Sequence, residues 1–350
     1  MRKHLFYLAA AIVAMSSCTE SEVVEVSQSK IIGFNSFVGN QTRTEQKGQT
    51  LETLKEEGNG FYVFGTYKEE DKEEETVVFD GKTTGAHVTW GESWGYSPIN
   101  FWLEKGTYKF AAYAPQLSIT PTFDYANNQM TFPDFITDGK TDLLVAEATA
   151  DGIKGSNPRV VNFTFKHALS KVRFTFIDGW RNDVILSITQ IKLKQVKSKG
   201  TLTTPGNLQG AGAISTNNWQ IQNDVVEFED KTGIELKVLN SKHLFDNFII
   251  PQTIDDIELE FTVSVRNPNN TFIELDKDKN TVKTITVPLS TGTVTEWIPG
   301  NAYNYKLTIS GTTFGLKPIQ FDVTEVSDWN ELDDQDITDG VTNIVTPKNP

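Results

Sequence analysis

Ile257-Glu258-Leu259-Glu260-Phe261-Thr262-Val263-Ser264-Val265 places its apolar side chains on one parity and Glu258, Glu260, Thr262 and Ser264 on the other. Successive side chains of an extended strand point to opposite faces, so this alternation predicts a β-strand with one buried face and one solvated face. The same period of two recurs along the chain. It is present in Val172-Arg173-Phe174-Thr175-Phe176 and in Ile234-Glu235-Leu236-Lys237-Val238. Tyr303, Tyr305, Leu307 and Ile309 repeat it, as do Ile319, Phe321 and Val323, and in the first half Tyr108, Phe110 and Ala112. Turn-forming pairs such as Asp80-Gly81, Asn157-Pro158 and Pro299-Gly300 punctuate these runs. No long window carries a helical period, and Leu51 to Glu57 offers two helical turns at most. The expectation is an all-β chain whose strands, mostly antiparallel, stack as sandwiches.

The N-terminus points to a compartment. Arg2, Lys3 and His4 precede an apolar run from Leu5 to Met15. That run is shorter than the roughly 20 residues a membrane-spanning helix needs, and has the length of a signal-peptide core. Cys18 is the only cysteine among 350 residues, so it has no partner for an internal disulfide. It follows the apolar run directly, and Ala14-Met15-Ser16-Ser17-Cys18 resembles a bacterial lipobox. The resemblance implies a signal at 1–17, lipidation of Cys18, and a polar tether over 18–29. The acidic residues in that tether look like a signal for transfer to the outer face of the outer membrane. Several acyl chains on one residue anchor stably.

The remaining length suggests two domains. The stretch Gly152 to Arg159, rich in Gly, Ser, Asn and Pro, sets the expected limits at 30–160 and 161–350. The net charge of −14 argues against nucleic acid and anionic lipid as partners. The acidic run Glu69 to Glu75 sits between two strand-like segments and reads as a solvated loop. Of the mature chain's histidines, His87, His167 and His243, none has a metal-ligand partner at a useful spacing. Asp276, Asp278 and Asn280 imitate the start of a calcium loop, but Thr281 and Val287 stand where Gly and Glu are needed. No nucleophile elbow or phosphate loop is present. No metal, cofactor or enzymatic activity is expected. Trp90, Trp94, Tyr96, Phe101 and Trp102 form a dense aromatic group that supplies either a core or a sugar-stacking surface.

A series of short segments resembles the fimbrillin family, the lipoprotein-derived type V pilins. They are Trp94-Gly95-Tyr96 with Phe101-Trp102, Tyr108 to Pro115, Asp142-Leu143-Leu144-Val145-Ala146, and Phe165-Lys166-His167-Ala168-Leu169-Ser170-Lys171-Val172. Ile250-Pro251-Gln252, Trp297 to Tyr305 and Val326 to Trp329 follow in order. The resemblance implies two tandem β-sandwich domains of Greek-key type and a fimbrial subunit at the cell surface. It also implies adhesion, and assembly with other subunits by strand exchange. In that family a protease cuts after an early arginine, removing the first strand so that a neighbour's strand takes its place.

The residues themselves offer counterparts. Lys30 to Val38 is strand-like, with Ile32, Phe34 and Val38 on one parity. Arg43 is the only arginine between the signal and Arg159, which makes Arg43–Thr44 the candidate cleavage bond. Ile337, Val341 and Val345 share parity in the polar C-terminal tail and form a candidate donor strand. The alternatives are that Arg43 is an uncut surface residue and that the tail donates nothing. For the fimbrial reading the expected adhesion ligand is a host protein or glycan. At the level of function the alternative is a surface glycan-binding lipoprotein of a nutrient-uptake system.

Overall fold

A computed structural model describes residues 30–38, 50–80, 84–152, 160–180, 184–208, 213–231, 233–237, 241–291, 294–310 and 322–327. The described chain is all-β, and its one α-helix, α1 (Leu51–Leu54), is a single turn closed by a Thr50–Thr53 capping box.

Eight strands form the first sheet. They are β1 (Gly33–Val38), β2 (Phe61–Lys68), β3 (Glu75–Phe79), β4 (Ala86–Trp90), β5 (Trp94–Gly95), β6 (Thr107–Ala114), β9 (Leu144–Asp151) and β10 (Val160–His167). Their order is β1-β10-β9-β6-β2-β4-β5, with β3 also on β2. A second sheet joins β7 (Thr122–Asp124), β8 (Gln129–Ile136), β13 (Lys199–Thr203) and β14 (Trp219–Ile221) in the order β14-β13-β8-β7. The third holds β11 (Ser170–Asp178), β17 (Ser241–Ile249), β20 (Asn301–Ile309) and β21 (Asp322–Ser327). The fourth holds β12 (Ile185–Lys197), β15 (Val225–Asp230), β16 (Ile234–Lys237), β18 (Glu258–Arg266) and β19 (Val282–Pro288). Strand pairing crosses the 160/161 position: β10 lies in the first sheet, and β13, which carries β14 on its other edge, pairs back to β8. Pairing is antiparallel except between β1 and β10 and between β11 and β20.

The third and fourth sheets sandwich one core. Phe174 and Phe176 of β11 meet Leu186 and Ile188 of β12 and Leu259, Phe261 and Val263 of β18, all fully buried. The alternation along β18 is realised as a strict in-and-out burial pattern. In the first sheet the expected solvated face is missing from the central strands. Tyr108, Phe110, Ala112 and Ala114 of β6 enter one core, while Ala111 and Tyr113 enter a second. The reason is a third layer: the second sheet, with Met130, Phe132, Leu202 and Trp219, covers the face that the alternation assigns to water.

The segment His167–Lys171 joins the halves, and each of its side chains has a structural task. His167 Nδ1 lies 2.9 Å from Asp142 Oδ2. Ala168 and Leu169 are fully buried in the second core, which also takes Phe248 and Ile250. Ser170 Oγ donates to the Ile298 carbonyl at 2.7 Å. Lys171 reaches Asp246 Oδ2 at 3.6 Å.

Candidate functional site

β1 is the edge strand of the first sheet and the place where that sheet closes. Its residues Gly33–Val38 run parallel to Val160–Phe165 of β10. Just before it, the chain pairs with a different segment. The Ile32 N–H donates to the Asn100 carbonyl at 3.0 Å, and the Trp102 N–H donates to the Lys30 carbonyl at 2.7 Å. Ile31 and Phe101 form an antiparallel bridge. The strand therefore fills a seam between β10 and Asn100–Trp102, and closes the fold over the core of the first sheet.

Alternation sets what the seam buries. Ile32, Phe34 and Ser36 face inward, at 0, 4 and 4 % exposure. Val38 shares their parity and pairs with Phe165. Phe34 is the aromatic hub of the core, with ring centroids of Phe61, Phe79, Tyr96, Phe110 and Phe163 all between 5.4 and 6.4 Å away. The Tyr96 hydroxyl donates to the Ile32 carbonyl at 2.8 Å. Burial pushes the Tyr96 phenol up to about 12, against the opposing hydrogen bond from the Asn100 backbone, so it remains a neutral donor at physiological pH. Ser36 is different. Its hydroxyl is buried without a hydrogen-bond partner among the described residues. A buried, unpaired hydroxyl costs about 1–3 kcal/mol, so one of the strand's inward residues weakens its hold.

The structure brings Ile32 and Phe34 together in this seam, as their parity predicts. Cys18, Arg43, Thr44, Ile337, Val341 and Val345 lie outside the described residues. Sequence reading passed over Ser36, although its parity places it inward. It also passed over Asn100, which holds Ile32 through its carbonyl and Val78 O through its side-chain amide at 2.8 Å. Only three residues long and following Pro98, the Asn100–Trp102 segment carries no strand signal.

The aromatic group divides. Trp94 and Trp102 are buried in the core, and Phe101 is 40 % exposed. Trp90 is half-buried with the Lys55 ammonium 4.3 Å above its ring. The histidines take separate partners: His87 Nε2 lies 3.1 Å from the Asn59 carbonyl and His243 Nδ1 2.7 Å from Thr175 Oγ1. Among the described residues no group of three His, Cys, Asp or Glu could hold a metal ion. The carboxylate of Asp276 is satisfied locally by the Asp278 and Asn280 N–H groups and the Asn280 amide, which holds it below the usual carboxylate range.

Comparison with known proteins adds three findings. The model of the family described as fimbrillin-like matches residues 42–329. Among solved structures, the chain is similar to a fimbrial assembly protein from Parabacteroides distasonis ATCC 8503, with 13 % identity over 85 % of this chain and 99 % of that one, at a TM-score of 0.35. It is also similar to a candidate cell adhesion protein from Bacteroides ovatus ATCC 8483, with 16 % identity over 87 % of this chain and 99 % of that one, at a TM-score of 0.45. Among curated proteins, none matches the sequence.

Proposed function

This chain belongs to the fimbrillin-like family, and from that premise we propose that it is a fimbrial subunit made as a lipid-anchored precursor. In this reading the signal at 1–17 is removed, Cys18 carries the lipid, and 18–29 tethers the body to the outer membrane at the cell surface. Cleavage at Arg43–Thr44 frees β1. The seam then accepts a strand from another subunit, with Ile337, Val341 and Val345 as the donor's inward side chains, and the resulting fibre supports adhesion.

The observation that carries this reading is the construction of β1. It is an edge strand held by side-chain burial, and it lies wholly ahead of Arg43. Losing Ile32 and Phe34 uncovers two large apolar side chains' worth of core, about 1.5–3 kcal/mol each. An emptied seam with an exposed strand edge seeks a replacement strand. The tail supplies apolar residues on one parity, Ile337, Val341 and Val345, with Asp339 and Asn343 at the positions between them. Glycan binding stands second, because the burial of Trp94 and Trp102 leaves little of the aromatic group available for stacking on a sugar.

The test is treatment of the purified full chain with an arginine-specific protease, followed by electrophoresis without heating. A ladder of multimers is expected, absent when Arg43→Ala replaces the cleavage residue. A chain that stays monomeric after the Arg43–Thr44 bond is cut rules the proposal out.

A further inference from the structure

The outer face of the seam is apolar as well as the inner. Ile99, Phe101 and Leu103 alternate outward from their segment and are 52, 40 and 49 % exposed. Phe101 lies opposite Ile31 across the antiparallel bridge, and cross-strand partners point to the same side. On the other flank Gly33 pairs with Val160, which is 45 % exposed. The Val160 side chain leans over this glycine, so a Cβ added there would lie 3.6 Å from it. Ile99, Phe101, Leu103, Ile31 and Val160 thus make one apolar patch that straddles the start of β1.

The charge distribution singles out the same place. The chain carries a net charge of −14, which makes copies of it repel one another. Yet residues 31–38, 93–103 and 160–165, which build the seam together with Lys30, contain no Asp, Glu, Lys or Arg, and Lys30 itself is ion-paired with Glu104 at 3.8 Å. A neutral, apolar surface is where two such acidic bodies approach at least electrostatic cost. Contiguous exposed apolar surface of this kind marks an interaction site.

We propose that this patch is the docking surface for the body of a second copy of the chain, engaged when that copy's strand occupies the seam. The inference rests on the strand-exchange reading above and adds a body-to-body contact to it. The donated strand replaces Ile31 and extends past Phe101 and Val160. The donor's last described strand ends at Ser327, ten positions ahead of Ile337, a reach of at most about 36 Å that brings the donor's body to the patch. Docking there raises the local concentration of the donor strand at the seam.

The experiment compares the full chain with its Ile99→Ser/Leu103→Ser variant, which leaves Phe101 in place to pair with an incoming strand. Three properties are measured: thermal unfolding of the uncut chain, binding of a synthetic peptide of residues 30–38 to the cut chain, and ladder formation after cutting. The expected result is an unchanged unfolding midpoint, unchanged peptide binding, and ladder formation reduced at least about tenfold, equivalent to about 1.4 kcal/mol. If the peptide fails to bind the cut wild-type chain, strand exchange itself is wrong, and the docking surface goes with it. If the peptide binds both chains and their ladders form equally, strand exchange survives and the docking surface is refuted. A variant that unfolds several degrees earlier than wild type before cutting shows that the patch is covered within one chain, which also refutes it.

Discussion

The ring of Phe34 stacks on that of Phe163 with 5.7 Å between centroids and 19° between planes, and this contact fastens the first strand to its parallel neighbour β10. Four further rings surround Phe34. The strand that the proposed function requires to leave is therefore also the strand that completes the core. Its departure has to be compensated by incoming apolar side chains.

Phe34→Ala should lower the stability of the uncut chain by about 3–5 kcal/mol, the range for truncating a fully packed phenylalanine. Urea unfolding of wild type and variant gives the difference. A loss below 1 kcal/mol would mean that the seam collapses around the cavity, and that β1 contributes little to the fold.

Ser36→Ala should act in the opposite sense. The serine hydroxyl is buried and unpartnered among the described residues, so removing it relieves a desolvation cost and should stabilise by roughly 1 kcal/mol. The same substitution should slow the release of β1 after cleavage. A destabilised variant in urea would show instead that the hydroxyl has a partner, and that the strand is held more firmly than its described contacts indicate.

Tyr96 makes the seam sensitive to strong alkali. Its phenol titrates near 10 in an unfolded chain and is pushed up to about 12 in the folded one. The native state thus holds the proton more tightly. The stability this provides is complete below pH 10 and is lost as pH climbs from 10 towards 12. Burial raises Tyr113 in the same direction. In Tyr96→Phe the alkaline loss should be smaller, while stability at pH 7 falls by about 1 kcal/mol for the missing bond to the Ile32 carbonyl. Unfolding midpoints between pH 8 and 12 (a range chosen to bracket ordinary tyrosine titration) decide it. Parallel curves for the two proteins would remove Tyr96 as the cause.

Much of the architecture is readable from residue order alone, and the unread parts share a physical origin. Alternation identifies β18 because it presents a single face to one core. It misjudges β6, since Ala111 and Tyr113 face a layer built by β8 and β13, and β13 lies about ninety residues further along the chain. Periodicity reports local preference, and a distant covering layer leaves no mark on it. The seam is legible on the β1 side, where Ile32 and Phe34 keep parity. It is illegible on the other side, where Asn100–Trp102 contributes main-chain bonds that any residue could make. Among the segments that resemble the family, Asp142 and His167 prove to be one joint, because the two side chains meet at 2.9 Å.

A final prediction concerns the joint between the halves. Asp246 sits opposite Arg173 in the β11–β17 register, and its Oδ2 takes Arg173 Nη2 at 3.1 Å and Lys171 Nζ at 3.6 Å. All three side chains are nearly buried. Burial lowers the Lys171 pKa, with Arg173 adding to that pull while Asp246 and Asp142 oppose it. Asp246→Asn keeps the shape and deletes the charge, which leaves two desolvated cations facing each other. Breaking a buried pair in this way costs about 3–5 kcal/mol. The variant should therefore unfold well before wild type at pH 7. Without Asp246 the Lys171 pKa falls further. A lysine held below its unfolded value makes the native state bind fewer protons than the unfolded one, so stability rises with pH in the window up to about 10.5. The gap between variant and wild type should narrow as pH is raised through that window. Comparing the two proteins at each pH cancels the tyrosine titrations they share. A gap that stays constant with pH would show that the lost stability does not run through Lys171, and would shift the cost to Arg173.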